Sequence, residues 1–404
     1  MKIVKLAQLQ FLFTAVIALS VVSPPLANLC EVILFLGLFF CTAVNENLLR
    51  YIKTPDFKIH ASFVAMLMIG VFYPLVDTQT YLSSILNWRK FLLLPIGFIL
   101  FNESQNQNQK ALKVIFYLIL ALTILNVIYK SHLLFFFNKD VIAYQLGTTS
   151  SEGMFVSVAL AIVLSSILRR PKLWAPQNFI EIVWAFYLVL YIAIFTTGRS
   201  GYLAMLVVLI FMSIKYIKTH DQKIDIRSWL VMAAVAFSAI FLLISSKTSS
   251  DRIEQAVVEL QQSEKNANEN VVTSIGQRVI FWKNTVEMIP QYFVLGAGTG
   301  GFKAAYTKQV ANKSGLIAAI TQDPHNQYLK ILIEQGILGL ILFITMIVRS
   351  LMQTHSKDEN YLLGPAILFI WILTSCFNAH FSTFMEGTFI WGWMGLMNRF
   401  AAKV

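Results

Sequence analysis

Charge is what this 404-residue chain has least of: Asp, Glu, Lys and Arg together make up 13% of it, where a water-soluble domain carries about a quarter. That scarcity excludes water as the solvent for most of the chain. Cysteine is almost as rare. Cys30, Cys41 and Cys376 are the only three; they sit in or beside apolar runs with no CxxC spacing, which argues against both a disulfide framework and a zinc site. Acidic residues number 21 against 32 basic ones, a formal net charge of +11. The basic residues are scattered through short segments between apolar runs, so the excess reads as the positive-inside bias of a membrane protein and not as a nucleic-acid surface. No internal repeat is evident, and the Asn/Gln-rich turn from Asn102 to Gln109 is the single stretch of low complexity.

What the chain has instead is apolar length. Hydrophobic residues make up 57% of it, including 32 Phe. Runs of roughly 17 to 25 such residues recur along nearly all of it, each able to cross a hydrocarbon layer about 30 Å thick. Backbone groups in that layer must be satisfied within the segment, so the runs read as helices. The first resembles a signal peptide, with Lys2 and Lys5 ahead of the stretch from Phe11 to Val22. No small-x-small cleavage site follows, and Leu29 is a poor residue before a lipoprotein cysteine at Cys30, so an uncleaved first helix is expected.

The patterning predicts an all-α, polytopic integral membrane protein of about 12 spans, at 7–23, 26–44, 61–77, 84–101, 112–129, 147–168, 179–197, 200–217, 229–246, 326–348, 361–379 and 384–398. An even count puts both termini on one side. With that side cytoplasmic, its loops collect Arg50, Lys53, Lys110, Arg169, Lys218 and Arg349, among others, while the short loops opposite hold far fewer. One connection is long, from Lys247 to Pro324, and of soluble composition. Helices are expected within it over Asp251 to Lys265 and Ile275 to Ile289, the second ended by Pro290. The expected organisation is therefore helices 1–9 over residues 1–246, a large, partly helical periplasmic loop over 247–325, and helices 10–12 over 326–404.

Four ionisable features fall on the periplasmic face of this topology. Arg89-Lys90 lies inside the outer end of the fourth span, where a charge costs several kcal/mol unless it snorkels or finds a partner. Arg199 stands in the short turn Thr196-Thr197-Gly198-Arg199-Ser200-Gly201. Glycines on both sides would let a ligand approach the backbone, and a guanidinium there can grip phosphate bidentately. Arg278 lies on the second loop helix, four residues before Trp282; an arginine on an amphipathic helix is otherwise an ordinary solvated face. Asp323-Pro324-His325-Asn326 opens the tenth span, with Asp323 as expected N-cap and Pro324 at the first helical position. His325 would then sit in the first turn, where the positive helix end favours a neutral, proton-accepting imidazole. Gly336 and Gly339 would continue its face as a small-residue patch for helix packing. The glycine-rich stretch Gly296 to Phe302 looks like a phosphate loop, but no strand precedes it and no Lys-Ser/Thr follows, which leaves a tight turn. No Asp-x-Asp, carboxylate pair or histidine cluster marks a metal site on this face, so a metal-independent mechanism without cofactor is expected.

Three stretches together resemble the O-antigen ligase and polymerase superfamily of lipid-linked glycan transferases. Arg199 through Leu203 is similar to its Arg-x3-Leu element; Gly276, Arg278, Trp282, Pro290, Gly296 and Gly298 are similar to its loop signature; His325-Asn326, nine residues, then Gly336-x-x-Gly339 is similar to its histidine motif. The resemblance implies inverting transfer of a glycan from undecaprenyl pyrophosphate to an acceptor hydroxyl at the periplasmic face of the inner membrane. For the ligase branch the acceptor is lipid A-core. It also implies that Arg199 and Arg278, with Arg89 and Lys90, hold the pyrophosphate, and that His325 orients or deprotonates the acceptor. Leu340-Ile341 follows the last glycine where some ligases carry two threonines. An O-antigen polymerase, a protein O-oligosaccharyltransferase and, from another class, a lipid-linked glycan flippase stay open. The one-sided cations fit a flippase less well than they fit a reaction centre, because coupled transport usually places its charges near the midplane.

Overall fold

The computed structural model describes residues 4–73, 75–101, 105–130, 151–168, 179–196, 198–219, 274–352 and 363–397. Among them there is no strand. Ten helices precede the long connection: α1 (Leu6–Ser20), α2 (Pro24–Leu38), α3 (Thr42–Ile52), α4 (Pro55–Ile69), α5 (Thr78–Trp88), α6 (Leu93–Phe101), α7 (Gln105–Lys130), α8 (Glu152–Leu168), α9 (Phe179–Phe195) and α10 (Arg199–Thr219). Among the described residues two lie within it, α11 (Ser274–Tyr292) and α12 (Phe302–Val310), and three follow: α13 (Gln327–Met352), α14 (Leu363–Thr374) and α15 (Phe384–Met397). The expected ninth span at 229–246 and the helix expected over 251–265 lie outside the described residues.

Local chemistry sets the helix starts. The Thr54 hydroxyl accepts from the Phe57 N–H at 3.2 Å with Pro55 behind it, and Asp77 Oδ1 accepts from the Thr80 N–H at 2.9 Å. Among the described residues, Pro55–Phe72, Thr78–Phe101, Gln109–Tyr129 and Gln327–Met352 are each long and apolar enough to cross a membrane, and five shorter apolar helices accompany them. The expected second span, 26–44, is not one straight helix. Its chain turns by 87° between Leu38 and Thr42, because Asn45, Glu46, Asn47 and Arg50 could not continue through hydrocarbon. In α3 these residues are spread along an amphipathic turn instead, and Asn47 Nδ2 donates to the Ile99 carbonyl at 2.8 Å.

The core is built around α15, buried along nearly its whole length against α1, α6 and α14. Gly97 of α6 meets Gly395 of α15 backbone to backbone, and Gly153 of α8 meets Gly201 of α10 in the same way. Small residues at such crossings let helices approach where lipid supplies no hydrophobic drive between them. Gly201 thus serves helix packing, and the expectation that it opens Arg199's turn to a ligand is corrected.

A smaller core lies beyond α10. Phe281 and Met288 of α11 pack with Phe302, Tyr306 and Val310 of α12 and with Ile333 of α13. Asn284 Nδ2 donates to Tyr306 Oη at 2.8 Å, and Lys313 Nζ donates to Glu287 Oε2 at 2.5 Å, which holds the Glu287 carboxyl below its usual range. Helix α11 runs two residues past Pro290, its predicted end; the proline lacks the N–H that would donate to the Val286 carbonyl, and the helix stops within a turn of it.

The chain between these helices docks on a break in α13. Gly336 has φ 67° and ψ −172°, a non-helical conformation essentially reserved to glycine. It frees the carbonyls of Ile333 and Glu334, which accept from Ala297 N at 2.7 Å and Gly298 N at 2.9 Å, and the Ile337 N–H donates to the Phe293 carbonyl at 2.7 Å. Gly296, Gly298 and Gly300, all at positive φ, make the tight turn the sequence suggested. The small-residue helix face expected through Gly336 is therefore replaced by a broken helix filled by another segment's backbone. In Gly336→Ala the Cβ would meet the Val294 carbonyl oxygen. We expect a loss of about 2–4 kcal/mol, read as a lowered melting temperature of the detergent-solubilised protein; an unchanged melt would contradict the docking.

Candidate active site

The connection from Ser375 to Thr383, between α14 and α15, is held by one of the ionisable groups singled out above, Lys90, and by the residues that follow another, His325. Lys90, 2% exposed, donates from Nζ to the carbonyls of Ser382 at 2.8 Å and Thr383 at 2.6 Å. Two of its three donors are thereby committed to backbone, which makes it a tether of this connection. Thr383 Oγ1 in turn donates to the buried Glu386 carboxylate at 2.6 Å. Arg89 Nε lies 3.4 Å from Glu31 Oε2, and Nη2 donates to Asn28 Oδ1, both acceptors on α2. The Arg89 guanidinium and the Lys90 ammonium lie 5.7 and 5.9 Å from the Phe384 ring centre. The adjacent cations, which sequence alone left facing a ligand or lipid, each have protein partners.

The start of α13 is stapled to the same connection. Gln327 N donates to the Ser375 carbonyl at 2.9 Å and Asn326 Nδ2 to the Cys376 carbonyl at 3.0 Å. Asn326, and not Asp323, caps the helix: its Oδ1 accepts from the N–H groups of Tyr328 and Leu329, both at 3.0 Å. His325 accordingly stands before the helix in a left-handed conformation at φ 51°, and its expected place in the first turn is corrected. Asp323 Oδ1 accepts from the His325 N–H at 2.8 Å and lies 3.7 Å from Nδ1, while the imidazole stacks on Phe281 of α11, ring centres 6.0 Å apart. With 40% of its side chain exposed, the ring is reachable from outside.

Arg278 lies one turn before Phe281 on α11 and is half-buried. Its charge, with those of Asp323 and Glu386, reaches His380 on the α14–α15 connection. Sequence reasoning passed over His380, since a single histidine between two apolar runs belongs to no motif; the close spacing of the last two spans was the only signal. It is 1% exposed, set edge-on to Trp371 with ring centres 5.5 Å apart, and neither ring nitrogen has a hydrogen-bond partner among the described residues. Burial pushes its pKa down to about 4, Glu386 opposing, Arg278 adding and Asp323 opposing. Arg199 is the half-buried first residue of α10, which packs on α8 and on α14, the helix that leads into the connection.

Glu334 is buried, and its carboxylate accepts from the backbone N–H groups of Gly300 and Phe302 with Lys330 near. It secures the start of α12. Among the described residues no three His, Cys, Asp or Glu side chains are grouped to hold a metal ion. The arrangement therefore presents an accessible imidazole with a carboxylate beside it, stacked on a helix that carries a half-buried arginine one turn away. Such a set can bind an anion and accept a proton from a hydroxyl.

Fold and site thus define an all-helical membrane protein with a polar centre at one end of its helices. Residues 184–344, which include Arg199, Arg278 and His325, match the model of the O-antigen ligase family. It is 23% identical over 280 residues to a Rickettsia conorii protein provisionally named a polysaccharide ligase, covering 67% of this chain and 62% of that one. It is 24% identical over 227 residues to a Haemophilus influenzae protein whose name assigns no function, covering 53% and 55%. The chain spans less than two thirds of the length of either relative.

The buried imidazole gives a pH dependence of known sign. Above pH 6.5, the ordinary histidine value, residue 380 is neutral in folded and unfolded chains alike; between there and about 4 only the unfolded chain takes up a proton. Stability from this group is complete above that window and is lost as pH falls through it. The melting temperature should drop from pH 7 to pH 5 by less in His380→Asn than in the parent, and equal drops would exclude His380 as a source.

Proposed function

We propose that this protein is an O-antigen ligase of the bacterial inner membrane, acting at the periplasmic face with both termini in the cytoplasm. It transfers a glycan from undecaprenyl pyrophosphate to a sugar hydroxyl of lipid A-core, with no metal and with inversion at the anomeric carbon. The observation that carries the reading is, within the family-matched segment, a partly exposed His325 held by Asp323 and by Phe281 of α11, the helix that carries Arg278 one turn before that phenylalanine.

In this reading the acceptor oxygen attacks the anomeric carbon as its proton passes to the His325 imidazole, and the bond from that carbon to the diphosphate oxygen breaks. Negative charge grows on the departing diphosphate, where Arg278 and Arg199 stabilise it with preorganised donors. Arg89 supplies further positive charge from α2's side of the site, and Lys90 acts by holding the 375–383 connection through the Ser382 and Thr383 carbonyls. Proton removal by a positioned base contributes roughly 100-fold or more.

The test is a lipopolysaccharide gel of the source bacterium with the gene deleted and complemented. The expected result is loss of all O-antigen from lipid A-core while lipid-linked polymer accumulates. Core bearing a single repeat would identify a polymerase; an unchanged ladder would redirect the search to protein glycosylation or transport. Complementation by Arg199→Ala, Arg278→Ala or His325→Ala should each fail, with membrane insertion intact. Normal ladders from one of them would remove that residue from the mechanism.

A further inference from the structure

The break at Gly336 has a depth in the membrane that can be measured along its own helix. At one end of α13, Arg349 is locked to Asp56 at the start of α4, Nε to Oδ1 at 2.5 Å and Nη2 to Oδ2 at 3.0 Å, a charged pair suited to a membrane boundary. Gly336 lies 13 residues before Arg349, about 20 Å along the axis at 1.5 Å per residue. A hydrocarbon layer is about 30 Å thick, so the break falls about 10 Å inside the opposite boundary, and any tilt of the helix sinks it further.

The segment that fills the break must lie at that depth with it. Irregular backbone is tolerated there only where protein satisfies its polar groups. Residues 293–298 meet the condition: Ala297 and Gly298 donate to α13, Phe293 accepts from it, and the Leu295 carbonyl accepts from Tyr73 Oη at 2.8 Å. Thr299 Oγ1 donates to the Leu67 carbonyl of α4 at 2.8 Å and accepts from Gln335 Nε2 at 3.0 Å. The backbone faces protein, and the side chains face away from it. Phe293, Val294 and Leu295 are 44%, 60% and 64% exposed, beside Phe72 at 82% and Leu338 and Ile341 of α13, both at 53%. Three consecutive large apolar side chains exposed to water would be costly, whereas acyl chains accept them freely.

We infer that residues 290–301 form a re-entrant segment, dipping from the long connection into the leaflet on the candidate site's side and turning back, with Phe293, Val294 and Leu295 against lipid acyl chains. The part of the connection nearest the site is thereby a membrane-embedded element, and α11 and α12, on either side of it, are anchored to the leaflet at a fixed depth. This holds the imidazole and guanidinium of His325 and Arg278 at the membrane surface.

The experiment is spin-label accessibility in the full chain, with Cys30, Cys41 and Cys376 replaced by Ala, reconstituted in phosphatidylethanolamine and phosphatidylglycerol vesicles. Labels at Val294→Cys and Leu295→Cys should favour oxygen over a water-soluble nickel chelate to the same degree as a label at Leu338→Cys. Both should exceed by several-fold the ratio at Lys308→Cys on α12. Chelate accessibility at both 294 and 295 equal to that at 308 would overturn the inference. Two adjacent labels guard against one that disturbs its own site, and the reading uses no transfer activity, so it stands or falls apart from the proposed reaction.

Discussion

Satisfying a broken helix's backbone without water is the constraint on which the rest of this structure turns. At Gly336 the α13 ladder opens, and the carbonyls of Ile333 and Glu334 and the N–H of Ile337 are taken up by residues 293–298. Left unpaired at that depth, each would cost several kcal/mol. Because those bonds come from the segment between α11 and α12, the same break fixes where the small outer core sits on the membrane helices. Glu334 strengthens the joint from below by accepting from the start of α12.

A second set of contacts transmits that placement to the polar centre. Phe281 of α11 stacks on His325, Asn326 caps α13 while reaching Cys376, and Gln327 bonds Ser375 and Ser382. Lys90, from the membrane helices, holds the other end of the 375–383 connection. Two segments far apart in sequence are thus tied to one short connection, with α11 joined to it through His325, and α15, packed through Gly395 on Gly97, gives that connection a rigid base.

The all-helical class, the membrane environment and most helix positions were legible in the sequence, because apolar run length and the shortage of charge depend on the solvent and not on neighbouring helices. The family resemblance was legible too, and the segment that matches the family, residues 184–344, includes Arg199, Arg278 and His325. What depended on partners was not. The bend after Leu38, the cap at Asn326, the left-handed His325 and the use of Gly201 for helix packing are each decided by which backbone lies alongside. His380 belongs to no motif, and only the fold sets it beside Trp371 and within the fields of Arg278 and Asp323. Sequence determined which residues could carry charge into a membrane protein; tertiary structure decided what those charges hold together, as Arg349 holds Asp56 and Lys90 the Ser382 and Thr383 carbonyls, because a buried charge must find its partner wherever the chain brings one.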